Sequence, residues 1–206
     1  MDYYILNTQK LCSTRKAILS SKTKVGTTQK EAQEDLELLD NLAFGNYKNI
    51  TYPVTLNNVG GKNIGEIIPA VNVSWLLIVN ERFKNIVEEN NLTGCSFFEV
   101  IVKDKFKESI LHFGFSITGT CTYADWDKSE IIKKSYGEGL PIINFCKGFY
   151  LEKEESFRTD FAFAGGRGFK ILSQKAKDIL EKAKFKNLEF INYKDFETAE
   201  NNIRHE

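Results

Sequence analysis

The chain has 206 residues, with 28 Lys plus Arg set against 28 Asp plus Glu. That length suffices for one well-buried domain, hiding about 70 % of its unfolded surface, and a Phe-rich, Pro-poor composition belongs to a sheet-rich core, not to a disordered chain. The balanced charge argues against a general nucleic-acid binder, which needs surplus cations to displace counterions.

Cys12, Cys95, Cys121 and Cys146 are far apart and form no C-x-x-C pair, and the histidines are only His112 and His205. No zinc site and no cofactor is expected from this set. Residues 1–6 show no secretory signal, and the longest apolar runs, such as Ser74 to Val79, are too short for a bilayer span. The expectation is a cytoplasmic protein with free, mostly buried thiols and no membrane contact.

In chain order, Asp2 to Leu6 reads as a first strand, and the polar stretch Leu11 to Thr27 as a loop. Thr28 and Glu31 form a capping-box pattern ahead of a helix with Ala32, Leu36, Leu39 and Ala43 at helical spacing, stopped at Gly45. Its outer face is acidic, with Glu31, Glu34, Asp35, Glu37 and Asp40. Such a run solvates a helix, and it can also steer a cationic partner. Ile50 to Leu56 reads as an edge strand because Pro53 lacks a donor, and Asn57 to Gly61 as a turn. Ile67 to Val73 is a further strand.

Leu111 to Ile117 alternates, with Leu111, Phe113, Phe115 and Ile117 on one face and His112, Gly114 and Ser116 on the other. This predicts a half-buried strand with His112 on the surface. Asp127, with Glu130 three places on, suits the cap of a helix through Ile131 and Ile132, with Trp126 packed on the sheet. Glu152 to Glu155 is an exposed turn or short helix, and Phe157 to Ala164 alternates as another strand.

Two stretches align without a gap: Val79 to Phe98 and Leu172 to Ile191. Each opens on a helix-capping residue, Asn80 or Ser173. Apolar stripes follow, with Phe83, Ile86 and Val87 in the first and Ala176, Ile179 and Leu180 in the second. Each then turns (Thr93-Gly94, Lys186-Asn187) into a β-leaning run. The fold class expected is α+β: a mostly antiparallel sheet flanked by helices, with two related helix–turn–strand units. No linker divides the chain, so residues 1–206 form a single domain, with an N-terminal portion over 1–66 and the paired units within 67–206.

For chemistry the sequence offers little. Ala164-Gly165-Gly166-Arg167-Gly168 precedes the second cap and could surround an anion, with Arg167 as its partner. It lacks both the Gly-x-Gly-x-x-Gly spacing and a Gly-Lys-Ser/Thr ending, and a tight turn is the plainer reading. No Ser/His/Asp order, Cys/His pair or paired-Glu frame marks an active site. An enzyme is therefore not expected; the alternative is a small enzyme or binding protein for a phosphorylated or nucleotide ligand held by Gly165 to Gly168.

Ala124-Asp125-Trp126-Asp127-Lys128-Ser129 resembles the Ile-Asp-x-x-x-Ser motif of a family of immunity proteins from bacterial polymorphic toxin systems. Ser156-Phe157-Arg158 is similar to the family's Phe-Arg element. Leu172 to Lys177 resembles its next signature, a helix starting at Ser173, and Asn187-Leu188-Glu189-Phe190 resembles the turn that closes it. Ala124 and Asn187 depart from the usual larger apolar residue and glycine. The resemblance covers Val71 to Tyr193 and implies a cytoplasmic protein that binds a cognate toxin and neutralises it without catalysis. Asp125, Ser129, Phe157, Arg158 and Ser173 are the matched positions. Were that toxin basic, as nucleases commonly are, the acidic helix would be the first choice of contact face.

Overall fold

A computed structural model describes residues 2–8, 16–19, 29–48, 50–60, 66–69, 76–103, 110–137, 140–165, 169–186 and 188–199. The fold is α+β, with two large sheets and one small one. The six-stranded sheet runs β2 (Lys16–Leu19), β3 (Val54–Gly60), β6 (Cys95–Lys103), β7 (Ile110–Ile117), β5 (Leu77–Val79), β4 (Ile67–Pro69). The five-stranded sheet runs β13 (Glu189–Asn192), β1 (Tyr3–Asn7), β12 (Phe169–Ser173), β11 (Phe161–Ala164), β8 (Thr120–Cys121). The small sheet runs β14 (Glu197–Ala199), β10 (Ile143–Lys147), β9 (Glu130–Lys134). Both large sheets are mixed, with parallel pairing at β3/β6 and at β8/β11.

Three apolar layers alternate with the two large sheets, because strand side chains alternate faces. Phe161 and Phe163 of β11 join Leu77, Val79, Phe115 and Ile117 in the central layer. Their neighbours Ala162 and Ala164 point instead into a layer with Tyr3, Ile5 and Phe149. On the far side of the six-stranded sheet, Ile78, Phe98, Val100 and Val102 pack against Leu42 and Ala43 of α1 (Gln29–Ala43). Each large sheet is therefore covered on both faces.

The central layer also takes the inner stripes of α2 (Glu81–Glu89) and α3 (Gln174–Lys182): Phe83 and Val87 from one, Ala176 and Leu180 from the other. The two helices are built alike. The Asn80 side chain accepts from the Phe83 N–H, and the Ser173 side chain from the Ala176 N–H, so each N-terminus has an orphan donor satisfied. Asn91 and Lys184 follow the helices at φ +50° and +56°. Leu92 and Phe185 come next, and both are buried. The connections match as well. β5 leads through α2 to β6, with β7 lying antiparallel between the two strands. β12 leads through α3 to β13, with β1 lying antiparallel between them. Each is a βαβ crossover split by one inserted strand.

Several expectations are corrected. Within Leu11 to Thr27, residues 16–19 form β2; the rest of that stretch, Cys12 included, and the expected cap Thr28 lie outside the described residues. Pro53 precedes β3, which is interior, between β2 and β6. Asn57 to Gly60 continue that strand; their turn chemistry is absorbed by a register shift opposite Lys16/Ala17, where β3 carries an extra residue. The strand from Ile67 is described only to Pro69. β7 is not half-buried: its polar face meets α1, so His112 is 2 % exposed and is no surface histidine. The Ser116 hydroxyl on that face donates to the Leu42 carbonyl and accepts from the Tyr47 hydroxyl. No helix runs through Ile131 and Ile132. Asp127 lies in a 3-10 turn, Trp126–Lys128, and β9 follows at once because Ile131 to Lys134 pair with β10. Trp126 does pack edge-on against Phe149 and Phe169.

Candidate functional site

α1 seats its inner side on β7 through Leu42 and Ala43 and ends as expected at Gly45, whose φ of +73° suits a residue without Cβ. Glu34, Glu37 and Asp40 recur every third residue and so share a face. Glu34 and Glu37 are exposed, and Asp40 is partly buried. Glu31 and Asp35 lie on the same helix, with side chains outside the described set. The helix thus carries Glu34 and Glu37 on the outer surface of the six-stranded sheet's covering layer.

The five motif positions gather elsewhere, on and beside the five-stranded sheet. Two of them bond one segment, Gly148 to Leu151, across that sheet's outer layer, and a third packs on the tyrosine that bonds it as well. The Asp125 N–H donates to the Tyr150 carbonyl at 2.6 Å, and the Ser129 hydroxyl to the Gly148 carbonyl at 2.8 Å. Phe157 is buried against Tyr3. The Tyr3 hydroxyl donates to the Phe149 carbonyl at 2.8 Å and accepts from the Leu151 N–H at 3.0 Å. Burial pushes that phenol well above the usual tyrosine range, so it stays a donor. A hydrogen bond from the Lys128 ammonium, 2.8 Å away, holds the Asp125 carboxyl below the ordinary aspartate value. Arg158 is exposed, and its Nε donates to the nearby Glu155 carbonyl at 3.2 Å.

Ser173 belongs to a second cluster, whose centre sequence reasoning missed. Asp160 is 9 % exposed. Its Oδ2 accepts from the Thr93 N–H at 2.9 Å and the Thr93 hydroxyl at 3.1 Å, and its Oδ1 accepts from the Ser173 hydroxyl at 2.8 Å. The Lys175 ammonium stands 3.6 Å away. Burial by itself would raise this carboxyl, but the Thr93 and Ser173 bonds and the Lys175 charge together hold it below the ordinary range. The carboxylate ties the turn after α2 to the cap of α3. Close packing at Gly94 completes the joint, since a Cβ there would lie 2.1 Å from the Phe161 carbonyl oxygen. The only trace of this in the sequence is a lone acid directly before the buried run Phe161 to Ala164.

Little in these clusters suits covalent chemistry. Burial, with Asp160 and Glu88 nearby, pushes the Cys95 thiol up to about 12, and burial pushes Cys121 up to about 11; both are held as thiols and not as nucleophilic thiolates. Of the anion-loop residues only Gly165 is described, at φ +62°; Gly166, Arg167 and Gly168 lie outside the described residues. The polar groups of these clusters are engaged in hydrogen bonds that join elements of the fold. No helix among the described residues is long and apolar enough to cross a membrane.

The model of the Immunity protein family (Imm11) matches residues 4–195, and the chain belongs to this family. No curated protein matches it.

Proposed function

We propose that this protein neutralises a cognate bacterial toxin by binding it stoichiometrically, without catalysis, in the cytoplasm of the producing cell. The observation that carries this reading is the family match over residues 4–195. Supporting it, Asp125, Ser129, Phe157 and Ser173 are engaged in holding backbone or filling the core, as scaffold positions would be. We read residues 1–206 as one domain, because β1 near the N-terminus sits between β12 and β13 from the C-terminal part. The split units around α2 and α3 are read as two related halves, since caps, stripes and left-handed exits recur at aligned positions.

The contact face we assign is the acidic side of α1: Glu31, Glu34, Asp35, Glu37 and Asp40. Exposed carboxylates such as Glu34 and Glu37 raise the association rate of a basic toxin, and buried anchors elsewhere would supply most of the affinity. The test is co-purification of the tagged chain with its bound partner, followed by calorimetric titration of that partner. A toxin captured at one-to-one stoichiometry, with its toxicity abolished by co-expression, is the expected result. Protection at strongly substoichiometric amounts would mean that the toxin is modified and not blocked, and would overturn the reading.

A further inference from the structure

β9 is the terminal strand of the small sheet. Its inner edge pairs with β10 from Glu130↔Lys147 to Lys134↔Ile143, and no described strand pairs with its outer edge. Bare strand edges are templates for another chain, and proteins commonly blunt them with lysines and other charges, proline, bulges or covering elements; of these β9 carries charges at Glu130, Lys133 and Lys134. β9 is regular and carries no proline. Its hairpin also carries four of the six large apolar side chains most exposed among the described residues: Ile131 at 52 %, Tyr136 at 64 %, Leu140 at 55 % and Ile142 at 66 %.

The charge order along β9 identifies what fits this edge. Glu130, Ile132 and Lys134 share one face. An antiparallel copy of the same strand, related by a two-fold axis through Ile132, would set Glu130 opposite Lys134 of the second copy, and do so twice. Ile132 would then meet itself, and Ile131 would lie under the aliphatic stem of the second copy's Lys133. Parallel in-register pairing would instead stack Glu on Glu and Lys on Lys, which is unfavourable. Lys134 lies on that face with its ammonium reaching inward over the Phe145 ring to Glu197 on β14, so in the dimer it turns from Glu197 to the second copy's Glu130. We propose that the outer edge of β9 is the interface of a homodimer, joining two small sheets into one continuous sheet across the axis.

The experiment is sedimentation equilibrium on the full chain over a wide concentration range, with circular dichroism as a folding control. The wild type is expected to dimerise. Glu130→Lys should weaken the dimer about tenfold by converting two attractions into two repulsions, and the swap Glu130→Lys/Lys134→Glu should restore it. Residues directly opposite across antiparallel strands have Cα atoms about 4.5–5.5 Å apart, within disulfide reach. Ile132→Cys should therefore give an oxidised covalent dimer that the wild type does not. A monomer at every concentration overturns the proposal, including the case in which the edge serves the toxin instead. So does a dimer that ignores Glu130→Lys and yields no Ile132→Cys cross-link.

Discussion

Asp160 offers the sharpest test of how the two crossovers are joined. Asp160→Ala removes the acceptor for three hydrogen bonds, from the Thr93 N–H, the Thr93 hydroxyl and the Ser173 hydroxyl. A bond to a charged group contributes about 1.5–3 kcal/mol net, and a buried donor left unpaired costs about 1–3 kcal/mol. The three share one carboxylate and water can enter the vacated space, so the terms do not add. We expect a loss of about 3 kcal/mol for Asp160→Ala and about half that for Asp160→Asn, which keeps one acceptor oxygen. Urea unfolding at pH 7 reads the difference directly.

The pH dependence supplies an independent check. The native Asp160 carboxyl titrates below its ordinary value. Its contribution is therefore complete above the unfolded aspartate pKa of about 3.9 and is lost as pH falls from there through the lower native value. Asp160→Asn should flatten that part of the acid limb. Ser173→Ala should couple to it, because the Ser173 hydroxyl serves both Asp160 and the Ala176 N–H. A loss below about 1 kcal/mol for Asp160→Ala, or strict additivity with Ser173→Ala, would refute the joint as described.

Other outcomes follow from the same structure. Tyr3→Phe leaves the Phe149 carbonyl and the Leu151 N–H without their partner and should cost about 2 kcal/mol in denaturant unfolding. Gly114→Ala places a Cβ 1.9 Å from the Phe98 ring, itself packed against Tyr47 and Tyr52, so about 1–3 kcal/mol should be lost to overpacking, visible as a lower Tm. Cys95 and Cys121 should resist thiol labelling at pH 8 in the native protein and react on unfolding, as peptide mapping would show. Reversing Glu34, Asp35, Glu37 and Asp40 to Lys should slow toxin association about tenfold or more and flatten its salt dependence; unchanged kinetics would rule α1 out as the contact.

What was legible in the sequence is what a short window can encode. The caps at Asn80 and Ser173, the stripes behind them and the stop at Gly45 are local geometry, and each stands where the spacing put it. Misreadings arose where a distant element changed the meaning of a local pattern. His112, Gly114 and Ser116 look like a solvent face until α1, arriving from some seventy residues upstream in the chain, closes over them and leaves room only for a glycine beneath Phe98. Asn57 to Gly60 carry turn residues, yet pairing with β2, and at Asn57 with β6 as well, keeps them extended. Asp127 and Glu130 have capping-box spacing, but the ladder to β10 makes strand formation from Glu130 onward the better use of Ile131 and Ile132.

The same contrast bears on function. Of the positions expected to carry the family motif, Asp125 and Ser129 bond the Gly148 to Leu151 segment, Phe157 packs on Tyr3 and Ser173 caps α3. Residues that hold a scaffold are constrained by the fold they share, whereas residues that meet a particular toxin are constrained by that toxin alone. A family signature can therefore identify the scaffold while carrying no information about the partner. The contact face proposed on α1 lies apart from those positions: its inner side packs toward β7, and its acids at Glu34 and Glu37 are exposed.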